Sequence, residues 1–296
     1  MKIRTMSIVC GTNECNSHCP FCVSRTTPNM GIGIHKGCLS SSINWRNFQK
    51  ACRLAQIGGA TTILLTGKGE PTLYPRDISG YLKAIENYQF PFIELQTNGI
   101  AIGNEELTYG GGYEYLRDWY NLGLNTICLS AVHYDQKLNQ KIYGKNYPDL
   151  AKTVEILHDV GFTVRLSIMM LRGYIDDQWK VQELIGFCKG KNIEQLTVRP
   201  IARPNNNQNT VTEWIDRHTI DLSRMQIIQR HFADHPHCKQ ILKLAHGATV
   251  YDFNGQNICL TNCLTTNETD EDIRQIIFYP SGRISYDWKY QGAILL

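Results

Sequence analysis

Short apolar runs alternate with longer amphipathic stretches over the first two thirds of the chain. Residues 5–10, 62–65, 92–96, 126–129, 163–169 and 194–200 are rich in Ile, Leu and Val and too short for helices, so they read as strands. Between them, residues 44–56, 75–87, 113–122, 150–160 and 177–189 carry helical spacing, and Gly123 and Gly161 stand where a helix stops. Six strand-like runs separated by helices predict parallel strands joined by crossover helices, an α/β arrangement.

The pattern changes in the last third. Residues 249–253 and 256–260 flank Asn254-Gly255, the strongest short hairpin signal, and residues 273–279 and 283–288 flank Ser281-Gly282. Residues 203–210 form a polar, turn-rich run that predicts a surface loop, and residues 211–233 read as one long helix or a pair. The expected division is a core over residues 1–210 and an extension of helix and hairpins over residues 211–296 that covers the open side of the core. Tyr251, Asp252, Arg283, Tyr286, Asp287 and Trp288 are its substrate-side candidates, although alternating aromatics on a hairpin more often pack.

Composition narrows the class. With 42% hydrophobic and 19% charged residues, the 296-residue chain is ordinary for a packed protein, and roughly 250 residues already suffice for one barrel domain. A net charge of +3 is too mild for a nucleic-acid binder. No window approaches the ~20 apolar residues of a membrane span, and the first residues lack a secretory h-region, so a cytoplasmic location is expected. Eleven cysteines in such a compartment imply reduced thiols and metal chemistry rather than disulfides.

Three of those cysteines stand within eight residues, as C-N-S-H-C-P-F-C from Cys15 through Cys19 to Cys22. A closed zinc site takes four ligands, whereas an iron–sulfur cluster held by three thiolates leaves one iron open to a ligand. This C-x3-C-x2-C spacing, with Phe21 before the third cysteine, resembles the radical SAM superfamily. After the second apolar run comes Gly67-Lys68-Gly69-Glu70-Pro71, similar to the family's G-G-E-P motif with Lys68 inserted between the glycines. Thr97-Asn98-Gly99 follows the third run, Ser130 ends the fourth, and Arg165 interrupts the fifth.

The resemblance covers roughly residues 5 to 200 and is overall most like the molybdenum-cofactor-cyclase-type or short partial-barrel members. It implies a partial (βα)6 TIM-type barrel with the C-terminal hairpins as its extension. It further implies an oxygen-sensitive [4Fe-4S] cluster on Cys15, Cys19 and Cys22 that reductively cleaves S-adenosylmethionine to a 5'-deoxyadenosyl radical, which abstracts hydrogen from a substrate. Phe21, Gly67, Gly69, Glu70, Asn98, Ser130 and Arg165 are the implied cofactor contacts. No general acid or base is identified. A small molecule or nucleotide is the expected substrate, a ribosomal peptide the alternative, and a flavodoxin or ferredoxin the expected electron donor. A non-catalytic metal-binding or redox-sensing protein is the competing class.

Other residues carry weaker signals. Cys238, Cys259 and Cys263 pose the question of an auxiliary cluster, while Cys38, Cys52, Cys128 and Cys188 read as core. His18 lies inside the cysteine loop, and His231, His235 and His237 read as a charged helix end rather than a metal site. Lys68 and Arg199 are candidates for balancing negative charge near a cluster and cofactor.

Overall fold

The computed structural model describes residues 2–25, 27, 42–201, 210–244, 247–261 and 272–296. Its centre is one sheet in which strands and helices alternate. The strands are β1 (Lys2–Val9), β2 (Thr62–Thr66), β3 (Phe92–Thr97), β4 (Thr126–Ala131), β5 (Thr163–Met170) and β6 (Gln195–Pro200). The intervening helices are α1 (Trp45–Ile57), α2 (Pro75–Ile85), α3 (Ile100–Gly103), α4 (Glu114–Asn121), α5 (Gln136–Tyr143), α6 (Leu150–Val160) and α7 (Gln178–Gly190). The helix α5 has no counterpart among the sequence expectations. Residues 211–233 resolve into a pair, α8 (Thr210–His218) and α9 (Leu222–Asp234).

Side-chain caps explain where several helices begin. Asp149, Asp177 and Asp221 each accept a backbone N–H from the first turn of α6, α7 and α9, satisfying amides the helix itself cannot reach. Gly161 then ends α6 at φ 110°, in the left-handed region that glycine tolerates.

The C-terminal strands are β7 (Cys238–Lys243), β8 (Thr249–Phe253), β9 (Gln256–Leu260), β10 (Asp272–Phe278) and β11 (Ile284–Ser285). β8 and β9 pair antiparallel across Asn254-Gly255, and β10 pairs antiparallel with β11. These strands do not form a separate layer over the sheet. β9 lies parallel to β6 and β10 parallel to β1, giving the order β11-β10-β1-β2-β3-β4-β5-β6-β9-β8-β7. The physical reason is that the outer strands of an isolated six-strand sheet would leave a row of unpaired N–H and C=O groups, which the hairpins satisfy. The β7 strand was not expected; its sequence, CKQILK, carries charges at both ends and lacks a clean alternation.

Strand register separates two faces. Ile63, Leu65, Leu95, Ile127, Val164 and Leu166 share one face and are buried in a single core with Phe48, Trp119 and Leu184 from the helices. The other face is mostly polar: Glu94 lies beside Thr126, Gln96 beside Cys128, Cys128 beside Arg165, and Ser130 beside Ser167. Parallel sheets are usually apolar on both faces, so a polar face on parallel strands marks a surface kept for something other than packing. No helix among the described residues is long and apolar enough to cross a membrane.

Candidate active site

Because β1 to β6 run parallel, their C-terminal ends share one rim of the sheet, where barrel-type folds build sites from loops. The cysteine loop leaves the end of β1, the G-K-G-E-P turn leaves β2, Thr97-Asn98-Gly99 leaves β3, and Ser130 stands near the end of β4.

Two glycines let the first two loops touch. Gly11 sits at φ 70°, and a Cβ there would lie 2.0 Å from the Tyr74 ring. A Cβ on Gly69 would lie 1.9 Å from the Glu14 carbonyl oxygen, beside the hydrogen bond that Glu70 N donates to the same oxygen at 2.9 Å. Gly69 therefore joins the cysteine loop to the second turn by close backbone approach. Gly67 is less tightly constrained, with its nearest prospective contact at 2.9 Å from Gly69 O.

The loop itself is tightly curled. Cys22 N donates to Cys19 O at 3.2 Å and Arg25 N to Cys22 O at 3.0 Å. Cys15 is exposed, and Cys19 and Cys22 are half-buried. Ser17 is buried, donates to Tyr143 O at 2.7 Å, and lies 3.1 Å from Cys19 Sγ. Phe21 packs against Tyr143 and Trp214 with ring centroids 6.3 and 6.0 Å apart, so it anchors the loop to α5 and α8. His18 is exposed on the loop. Burial pushes the half-buried Cys19 thiol up to about 11, and binding iron as a thiolate must release its proton.

Glu70 is buried and its carboxylate accepts four hydrogen bonds, from Thr72 N and Oγ1, Thr97 Oγ1 and Asn98 N, at 2.6 to 3.0 Å. Burial raises its pKa while those donors pull against the shift. The side chain is thus a bracket between the second and third turns. Asn98 accepts from Ile100 N at 2.9 Å, donates to Asn16 Oδ1 at 2.7 Å, and directs the same amide toward Cys15 Sγ at 3.9 Å. Asn16 Nδ2 is buried without a hydrogen-bond partner inside the cysteine loop.

Ser130 and Arg165 stand on the polar face of the sheet. Arg165 pairs with Glu94, which also accepts from Gln96 at 2.9 Å, and its Nε is buried without a partner. Cys128 is buried as expected, but it faces Arg165 because it occupies the polar parity of β4. Its thiol is pushed up to about 11 by burial, against the pull of Arg165. Arg199, on the same face of β6, donates to Met169 Sδ at 3.0 Å. Sequence reasoning missed Glu94, whose only signal was a carboxylate interrupting a strand.

Several further expectations change. Cys238 pairs in register with Phe253 and Cys259 with Val250, so the two thiols point to opposite faces of the sheet and cannot share a cluster; Cys263, like Cys38, lies outside the described residues. Tyr251 points into the apolar core because it takes the opposite parity from Asp252. Asp252 caps its own turn by accepting from Gly255 N, Asp287 accepts from Lys289 N, and Trp288 packs on Tyr279. Arg283 donates to Gln291 O at 2.8 Å, and Tyr286 is exposed. His231 and His235 both place Nε2 against Gln182 Nε2, at 3.1 and 3.4 Å.

Among the described residues no three or more His, Cys, Asp and Glu side chains form a group that could hold a single metal ion. A four-iron cluster differs in taking each thiolate on a separate iron. The residues present suit it: soft thiol donors on one curled loop, an unpartnered buried amide among them, and a glycine-gated turn against the loop.

Comparison with known proteins agrees. The family model described as the radical SAM superfamily matches residues 9–185. No curated protein sequence matches the chain. Among solved structures, Streptococcus suis SuiB is similar at 15% identity and a TM-score of 0.60, covering 96% of this chain and 60% of its own. SuiB bound to its precursor peptide SuiA gives a TM-score of 0.56 at 15% identity, covering 96% and 59%. Native anSMEcpe with bound AdoMet gives 0.59 at 12% identity, covering 97% and 75%. The chain thus spans about 60% of the length of the SuiB structures, and the likeness shows an α/β fold with a parallel-dominated sheet similar to radical SAM TIM-type barrels. The family's cofactors are a [4Fe-4S] cluster and S-adenosylmethionine. The match over more than half of the chain, together with the fold, makes this protein a member of the radical SAM superfamily.

Proposed function

We propose that the chain is a radical S-adenosylmethionine enzyme whose cluster is held by Cys15, Cys19 and Cys22. The observation that carries the reading is the joining of three loops on one rim: Gly69 against Glu14, Glu70 against Asn98, and Asn98 toward Cys15. When bound, the cluster and S-adenosylmethionine supply reductive cleavage of a carbon–sulfur bond and a carbon radical able to abstract hydrogen. The protein's part is position and exclusion. Ser17 and Phe21 fix the loop, Gly67 and Gly69 allow close approach of the methionine moiety, and Glu70 fixes the backbone around it. Ser130 is the ribose contact, and Arg165, with its unpartnered Nε, the carboxylate contact.

In this reading β1 to β6 form a partial (βα)6 barrel within residues 1–210, and residues 211–296 border the substrate opening. The substrate is a small molecule or nucleotide lying over the polar face. A low-potential donor of the flavodoxin or ferredoxin type supplies the electron in the reducing cytoplasm. One observation favours a peptide as the second reading: β7 is a sheet edge with Ile241 and Leu242 more than half exposed, a place where an extended chain can pair.

The test is anaerobic reconstitution followed by dithionite and S-adenosylmethionine. Formation of 5'-deoxyadenosine is expected. A fully loaded brown protein that leaves S-adenosylmethionine intact with several reductants sinks the catalytic reading, and a colourless zinc protein sinks the cluster.

A further inference from the structure

Lys68 is the residue that departs from the family's adjacent glycines, and the structure buries it to 5% exposure beside the cysteine loop. Its ammonium donates to Thr27 Oγ1, beyond the third cysteine. Among the described residues no carboxylate lies within ion-pair distance of it. A buried ammonium is expensive to keep charged unless an anion offsets its lost hydration. Thr27 is neutral and does not do so. Thr27 Oγ1 in turn donates to Val23 O at 2.8 Å, the residue next to Cys22, so the ammonium is tethered beside the third cysteine; burial disfavours the charged lysine there, and negative charge at Cys22 favours it. Gly69, the next residue, holds the backbone of this turn against the cysteine loop at Glu14, so the lysine is carried to that place by the turn itself.

We propose that Lys68 is the buried counter-charge of the iron–sulfur cluster and that its ammonium raises the cluster's reduction potential. The inference rests on the reading of Cys15, Cys19 and Cys22 as cluster ligands. Three thiolates already give the cluster site negative charge, and reduction adds one electron without a proton. A fixed positive charge nearby, in surroundings that screen poorly, stabilises the reduced form more than the oxidised form. Thr27 holds the ammonium in place by accepting one of its three N–H groups. Lys68 is thus a positioning charge, acting on the redox centre rather than on the substrate.

The experiment is an anaerobic redox titration of reconstituted wild-type protein, Lys68→Met, Lys68→Gln and Lys68→Arg. Dithionite serves as reductant, no S-adenosylmethionine is present, and the reduced cluster is read by electron paramagnetic resonance. Both neutral variants should shift the midpoint to more negative potential by a similar amount, while Lys68→Arg stays near wild type. Should the neutral variants fold but fail to load iron, the same titration of Thr27→Val, which frees the ammonium from its anchor, should give a midpoint more negative than wild type, and an unchanged midpoint there overturns the proposal. Wild-type potential in the neutral variants at full iron content overturns it, and so does a Lys68→Arg shift as large as that of Lys68→Met. Failure of all three variants to load iron also overturns it, since shape rather than charge would then be required. Because the readout is a potential measured without S-adenosylmethionine, its failure is distinguishable from a failure to form 5'-deoxyadenosine.

Discussion

The Glu70 carboxylate accepts the Asn98 backbone N–H at 2.9 Å, tying the turn after the second strand to the turn after the third. Three further donors, from Thr72 and Thr97, converge on the same buried group. Replacing Glu70 by Ala leaves all four donors without their acceptor, and each orphaned buried group costs roughly 1–3 kcal/mol before relaxation. Glu70→Ala is expected to lower unfolding stability by about 3 kcal/mol in urea titration and to weaken S-adenosylmethionine binding. Unchanged stability would show that the bracket is not structural.

Gly69→Ala forces a methyl group to 1.9 Å from the Glu14 carbonyl oxygen, where backbone must move. The cysteine loop and the second turn should separate, with loss of iron per chain after reconstitution. Gly186 provides the contrast: it lies within α7, and nothing stands within 4 Å of its prospective Cβ. Gly186→Ala should leave iron content intact and add about 0.5–1 kcal/mol of stability through helix propensity.

Asp176 is buried and accepts from Gly173 N, Lys180 Nζ and Arg224 Nη1 at 2.7, 2.7 and 3.1 Å, locking α9 to the loop after β5. Desolvation works to raise its carboxyl, but the Lys180 hydrogen bond, the Gly173 amide and the two cations together hold it below the usual range. A depressed folded pKa means that the stabilisation is present above the unfolded value of about 3.9 and is lost as pH falls through the folded value. Wild type should therefore lose stability faster than Asp176→Asn below about pH 4, and the variant should be roughly 1–3 kcal/mol weaker at pH 7. Parallel pH profiles for the two proteins would contradict the assignment.

Arg165 and Glu94 separate structure from cofactor binding. Arg165→Met leaves Glu94 buried and without its cation, which should cost about 3 kcal/mol, and it should also weaken S-adenosylmethionine binding. Glu94→Gln removes the pair from the other side and should destabilise without the same loss of affinity. Equal affinity losses in both variants would assign the pair to scaffolding alone. Calorimetric unfolding and equilibrium binding to the reconstituted protein give the two numbers.

Much of the parallel core was legible because its strands carry runs such as Thr62-Ile-Leu-Leu and because Gly123 and Gly161 mark helix stops. Where the hairpins attach was not, since Asn254-Gly255 encodes a local turn but nothing in it specifies β6 as a neighbour. The short helix α5 was missed for want of a long apolar period, although Asp135 caps it. In the site, the three cysteines and the glycine–glutamate turn announced themselves by spacing. Asn16, Ser17 and Glu94 did not, because their roles come from contacts between residues distant in the chain. The faces taken by Cys128 and Tyr251 were hidden for a related reason: only register decides which face an alternating residue takes.

The pairing of β1 with β10 bears on when the iron–sulfur loop can mature. Thr5 donates to a carbonyl 269 residues later, and β1 lies between β2 and β10 from Thr5 to Ile8. A strand whose second neighbour is made so late stays half-bonded during synthesis, since domains fold as units and distant contacts form slowly. The loop that follows β1 is therefore supported on one side only until β10 docks. Iron delivery is best timed after translation has passed β10, and a chain arrested before residue 272 should expose its three thiols to oxidation instead of presenting them for loading.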